Sequence, residues 1–186
     1  ADQVLFYNQN AWQTSWLELS AQRHEWRPVG DVTQPSADGR VIVPGTAVMF
    51  KSASDTAASY VVTGHVRTGA FVRPLDQTHN LLALPWPVDT TPQQLKFDAT
   101  QGFTSGKNSS VADQIQLYNG DETANAITYA IYWLRQSGTT GIWSPKADAS
   151  APDVSATLRL PAHRGFFLKI MPRSGESVWK MPALQP

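Results

Sequence analysis

The chain has 186 residues, with 15 Lys+Arg against 15 Asp+Glu, 13 Pro, 12 Gly, 7 Trp and no Cys. The absence of cysteine excludes a disulfide framework, a Cys-based zinc or iron–sulfur site and a thiol nucleophile. A formal charge of zero supplies no basic footprint for nucleic acid or an anionic membrane, and 41% hydrophobic content excludes a disordered chain.

Short β-branched and aromatic runs separated by Gly, Pro, Asn, Asp and Ser clusters predict strands at 3–7, 13–19, 25–29, 40–43, 47–52, 59–66 and 70–73. Asp38-Gly39 reads as the turn that feeds Arg40-Val41-Ile42-Val43. A further strand is expected at 80–84. After it, Thr90 or Thr91 is placed to cap one short helical turn with Pro92 at its first position. Strands follow at 114–118, 128–135, 141–144, 157–160, 165–171 and 178–181. In the segment 165–171, Phe166, Leu168 and Ile170 share one face, so that face is wholly apolar. With no crossover helices to support a parallel sheet, the pattern predicts an all-β fold. The expected architecture is an antiparallel β-sandwich or partly closed barrel with at most one short helix.

An internal repeat organises these elements. An offset of 111 residues lays Ala1-Asp2-Gln3-Val4-Leu5-Phe6-Tyr7-Asn8 over Ala112-Asp113-Gln114-Ile115-Gln116-Leu117-Tyr118-Asn119. Six residues are then inserted near Asp121-Glu122-Thr123, and the offset becomes 117. It matches Trp16 to Trp133, Trp26 to Trp143, Pro28 to Pro145, Pro44 to Pro161 and Phe50 to Phe167. The chain therefore divides into a first β-unit at 1–66, an unmatched bridging segment at 67–111 and a second β-unit at 112–186. These are two pseudo-equivalent units in A–B–A′ order, either separate or within one continuous domain. Trp16/Trp133 and Trp26/Trp143 are expected to build the repeated core.

Catalytic and metal chemistry has no recognisable pattern. His24, His65, His79 and His163 lack ligand spacing, and His163 aligns with Thr46 in the other unit. The carboxylates lie mainly in turns, where Asp31 and Asp148 recur as Asx-type residues. Thr104-Ser105-Gly106-Lys107 lacks the upstream glycine and the following helix of a phosphate loop. The expectation is a protein without enzymatic activity, metal or cofactor. Trp12, Trp86 and Trp179 lack a tryptophan counterpart, Trp12 aligning with Tyr129, and Trp12, Trp86 and Tyr129 are candidates for stacking on a ligand. Trp86 stands in Leu84-Pro85-Trp86-Pro87, whose stiff backbone is expected to hold the ring on a ledge against a polysaccharide.

The duplicated Asp-Gln-x-x-x-Tyr-Asn motif is followed by Trp and then by Pro44-Gly45…Phe50. Together with Asn80-Leu81-Leu82-x-Leu84-Pro85-Trp86-Pro87, it resembles a little-studied family of secreted bacterial β-rich repeat proteins. The resemblance implies a β-rich secreted protein and assigns no activity and no site residues.

The combined expectation is an extracellular or cell-surface structural protein, a homo-oligomer or polymer forming a filament or surface assembly. Low charge permits close subunit packing. The Ser, Thr, Gln and Asn content and the start at Ala1 read as a secreted mature form. The longest aliphatic run, Leu81 to Leu84, is too short for membrane insertion. The first strand, Gln3, Val4, Leu5, Phe6 and Tyr7, is the expected sheet edge for strand addition between subunits. The alternative is a carbohydrate-binding module using exposed Trp and Tyr rings.

Overall fold

In the computed structural model the described residues are 1–20, 23–30, 33, 35–54, 68–119, 128–148 and 150–183. The first sheet contains β1 (Gln3–Asn8), β2 (Ala11–Ser20), β3 (Arg23–Pro28) and β4 (Val48–Lys51), in the order β3-β2-β1-β4. The remaining strands are β5 (Phe71–Leu75), β6 (His79–Leu82), β7 (Gln114–Tyr118), β8 (Tyr129–Arg135), β9 (Ile142–Pro145), β10 (Phe166–Lys169) and β11 (Ser177–Met181). They form a five-stranded sheet, β6-β10-β7-β8-β9, and a two-stranded sheet, β11-β5. Every ladder is antiparallel. The fold is all-β with packed antiparallel sheets, a β-sandwich.

Local chemistry accounts for most of these elements. Gln9 and Asn10 both take left-handed φ values, 47° and 62°, so a two-residue turn closes the β1–β2 hairpin with the twist its strands require. The expected turn at 91–96 is a capping box: Gln94 N–H donates to Thr91 Oγ1 at 3.2 Å, and Thr91 N–H donates to Gln94 Oε1 at 2.9 Å. Two 3₁₀ turns, Ala99–Gln101 and Ser109–Val111, start at Asp98 and Asn108, whose side chains accept the N–H two residues on. The segments 40–43 and 157–160, expected as strands, are irregular apart from a bridge from Leu160 to Thr90. They occupy the same place in the repeat. β-propensity reflects fit to a neighbouring strand, and no ladder partner stands beside either segment among the described residues. The expected strand at 59–66 lies outside the described residues.

The pairing registers of the two halves coincide. Gln3 opposes Trp16 and Tyr7 opposes Trp12, while Gln114 opposes Trp133 and Tyr118 opposes Tyr129. Leu17–Trp26 and Ser15–Pro28 correspond likewise to Leu134–Trp143 and Tyr132–Pro145. Beyond the ladders, Trp26 O accepts from Ala37 N–H as Trp143 O accepts from Val154 N–H. The last strand runs one residue out of the aligned register. Gln3 faces Lys51 and Gln114 faces Lys169, so Phe167 corresponds to Met49 rather than to Phe50.

The expectation that Gln3–Tyr7 forms a sheet edge is overturned. β1 pairs with β2 along its length and, from Gln3 to Phe6, with β4 on its other side, so its backbone is consumed within the chain. β3 and β4 are the outer strands of that sheet.

Packing separates the halves. The core is built from Leu75 to Met181, and of the buried apolar residues only Phe6 and Ala47 come from the first unit. The inner face of the five-stranded sheet, with Leu134, Trp143 and Leu168 no more than 1% exposed, is covered by the bridging segment and β11. Trp143 Nε1–H donates to Phe97 O at 2.6 Å. The Phe97 ring lies 5.0 Å from Phe103 and 5.5 Å from Trp179. The first unit is anchored by residues 45–47 against β6: Ala83 N–H donates to Gly45 O at 3.0 Å, and Arg73 Nη1 donates to Thr46 Oγ1 at 3.0 Å. Gly45 has φ +80°, and a Cβ there would come within 3.1 Å of the Trp179 ring, so both backbone and space demand glycine.

The motif aspartates brace each sheet. Asp2 Oδ1 accepts Ala53 N–H at 2.8 Å, and Asp113 Oδ1 accepts Met171 N–H at 2.8 Å. Asp113, fully buried, also accepts Thr104 N–H at 2.9 Å and pairs with Arg173. Burial pushes its carboxyl above the ordinary range, against the pull of those N–H groups and the guanidinium. Asp113→Ala is expected to cost about 3–5 kcal/mol, because it strands the largely buried Arg173 charge. Asp2→Ala removes an exposed-side brace and is expected to cost about 1 kcal/mol. Urea unfolding of the two variants checks the difference.

Candidate interaction surfaces

Trp12 and Tyr129, two of the three candidate stacking residues, are brought to one place. Trp12 lies opposite Tyr7 in the first hairpin, and Tyr129 lies opposite Tyr118 in its counterpart. The two aromatic pairs converge on Phe167 of β10. Its ring centroid is 5.1 Å from Tyr7, 6.4 Å from Trp12 and 5.9 Å from Tyr129. All three contacts are edge-to-face, with interplanar angles of 71–83°. Trp12 is 41% exposed, but the rings interlock and present no coplanar platform. Such geometry holds two sheets together through quadrupole complementarity.

Phe167 escaped the sequence reading because its assigned partner was Phe50. The available signal was the Phe166-Phe167 doublet: in a strand, adjacent aromatic residues point to opposite faces, so one of them must leave the core. Phe166 is buried in the core and Phe167 joins the two sheets.

Trp86, the third candidate, does not stand on a ledge. It is 6% exposed and belongs to the core. Prolines flank it on both sides, but its ring is taken into the core with the other apolar side chains of the cluster.

The first unit carries a different surface. Of the exposed large apolar residues among those described, Trp12, Leu19, Val29, Val41, Ile42, Val43, Val48, Met49 and Phe50 all fall in it. Only Val72, Val88, Val111 and Tyr118 lie elsewhere. Positions equivalent in pairing to buried Leu134 and Trp143 are half-buried Leu17 and Trp26, and Phe50, the counterpart of buried Leu168, is 38% exposed. Among the described residues, Arg40 contributes polar cover. Arg40 lies 3.7 Å above the Phe6 ring and donates to Gln13 Oε1 at 2.8 Å. Val41 to Val43 protrude beside it.

Among the shifted titratable groups, His79 lies beside the Phe167 aromatic group. His79 opposes Lys169 across the β6–β10 ladder, contacts Gln116 Nε2 at 3.4 Å and lies 6.1 Å from the Phe167 ring. Burial, and then the Lys169 charge, hold its pKa below the ordinary value. The unfolded state therefore takes up a proton more readily than the folded one. Stability contributed by neutral His79 is complete above about pH 6.5 and is lost as pH falls below it. His79→Gln is expected to flatten the acid-side decline in urea midpoint between about pH 8 and pH 5. An unchanged profile would assign that decline to other groups.

No protein family, curated protein or solved structure matches the chain.

Proposed function

We propose that the protein is a non-enzymatic, extracellular structural subunit that associates with copies of itself through the apolar surface of its first β-unit. One observation carries this reading. Matching strand pairings occur in two sheets, but among the described residues only the second sheet has its apolar face buried by a covering layer, while Val41, Ile42, Val43, Val48 and Phe50 beside the first are exposed. Scattered surface apolar residues are ordinary, but a concentration of them in one part of a chain favours association. Zero net charge removes the long-range repulsion that would oppose close packing of copies. The mode of association is packing of apolar side chains rather than strand addition at β1, whose hydrogen bonds are already satisfied. The extracellular placement rests on composition: 16% charged residues and a surface chemistry of Ser, Thr, Gln and Asn.

Light scattering over a concentration series, with negative-stain electron microscopy of the concentrated sample, tests the proposal. The wild-type chain is expected to grow in mass with concentration and to form regular particles or fibres. The double variant Val41→Asp, Val48→Asp should remain monomeric with an unchanged near-ultraviolet circular dichroism spectrum, since neither side chain is in the core. A wild-type chain that stays monomeric throughout removes the proposal.

A further inference from the structure

We propose that the depression between the end of β7 and the 159–165 loop binds an acidic saccharide through the carboxylate of one uronate residue. Leu117, Tyr118 and Pro161 give it apolar lining, and Arg159, His163 and Arg164 supply its polar groups. No carboxylate lines it among the described residues. Its volume is about 210 Å³. Sites that enclose a whole drug-sized ligand begin at roughly 300 Å³, so this one suits a single charged residue of a longer chain. Tyr118 is 40% exposed, and Arg159, His163 and Arg164 are exposed as well, so a ligand can reach all four.

Two observations separate this depression from ordinary surface charge. Arg27, Arg40, Arg73, Arg135 and Arg173 each donate a hydrogen bond within the chain. Arg159 and Arg164 make no such bond and no ion pair among the described residues, and both line the same depression. The second observation comes from the repeat. At the offset of 117, Arg159, His163 and Arg164 align with Ile42, Thr46 and Ala47, so the first unit carries no cation at these positions. Tyr7, the counterpart of Tyr118, donates its hydroxyl to Asn10 Oδ1 at 2.8 Å, whereas the Tyr118 hydroxyl has no partner among the described residues. The cations and the free hydroxyl are therefore additions that the repeated pattern does not require.

The loop that carries the cations is held at several points. Leu160 N–H donates to Thr90 O at 2.8 Å, and Thr90 N–H donates to Leu160 O at 3.1 Å. Ala162 N–H donates to Asp89 Oδ1 at 3.0 Å, and Asp89 itself lines a different cleft. A Cβ on Gly165 would come within 2.7 Å of Ala47 Cβ, so the end of the loop is pressed against the first unit. Fixing the backbone in advance lowers the ordering cost of binding. Planar guanidinium forks match a carboxylate, and a neutral sugar would leave both without an anionic partner. The apolar lining suits the C–H face of a pyranose. A nucleic acid needs cations that track its backbone along a groove, and these are confined to one depression.

Calorimetric titration of the full chain at low salt tests the assignment. The probes are hexasaccharides of α-1,4-galacturonate and β-1,4-mannuronate, their methyl esters, sulfated β-1,4-glucose hexasaccharide and a deoxythymidine hexamer. Saturable binding is expected for at least one uronate, with loss of about tenfold or more on esterification. Arg159→Gln and Arg164→Gln are each expected to weaken that binding about tenfold with an unchanged thermal unfolding midpoint. Tyr118→Ala should weaken it by a smaller factor. Lys107→Gln removes the same charge outside the depression and should leave the affinity unchanged. No binding of either uronate, equal binding of the esters, or equal losses in all three charge variants would overturn the site. Tighter binding of the sulfated sugar or of the deoxythymidine hexamer would overturn the carboxylate assignment. All the residues invoked lie in the second unit, so this inference and the association proposal fail separately.

Discussion

Phe97 sits where the covering layer meets the five-stranded sheet, and its contacts hold both sides. Its carbonyl receives the indole N–H of Trp143 from the sheet, and its ring packs on Phe103, Trp179 and Phe166. Trp143, Trp179, Phe97 and Phe166 are each no more than 1% exposed. Burying one such side chain contributes about 1.5–3 kcal/mol, so this knot supplies a large part of the apolar stabilisation of the fold. The hydrogen bond matters for a further reason: without it, the sheet could cover Trp143 only by leaving a buried donor unsatisfied. Phe97 follows a capped turn rather than a strand, and the Thr91–Gln94 capping box is what aims it.

The same knot explains why two similar strand lattices have different surfaces. The bridging segment spends its apolar residues, Leu75 through Phe103, on the second sheet. It meets the first unit mainly along one line, where β6 receives residues 45–47 and Asp76 Oδ2 accepts Gln9 N–H. The aromatic group around Phe167 adds a second line of contact. The two sheets are therefore joined at a seam, while the interior belongs to one of them. A sheet needs one face covered, and among the described residues the chain contains a single apolar covering layer.

Polar groups in this arrangement serve mainly to close backbone hydrogen bonds. Asp98, Asp148 and Asp153 each accept the backbone N–H two residues on, and Asp113 accepts the distant N–H groups of Thr104 and Met171. Asn80 does the same from a buried position, donating to Asp76 O and accepting Asp76 N–H. These side-chain oxygens close turns and braces.

The sequence by itself determined the all-β class, most strand positions, the capped turn at 91–96 and the alignment of the two halves. Each of these depends on local rules: alternation, turn chemistry, capping and self-similarity. The register pairs Leu17–Trp26 and Leu134–Trp143 are what the matched tryptophans imply once both segments form hairpins. Tertiary structure decided what those rules leave open. β1 is interior because a strand more than 40 residues later pairs with its free side. Trp86 is buried because a core forms around it, although its flanking prolines equally suit an exposed ledge. Phe167 leaves the core and Phe166 enters it according to which face of β10 the covering layer meets. Matched positions such as Trp26 and Trp143 carry the same residue and the same pairing, and differ in burial because, among the described residues, only Trp143 has a layer above it. Hydrogen-bond register is written along the chain, but burial depends on which other segment arrives on a given face.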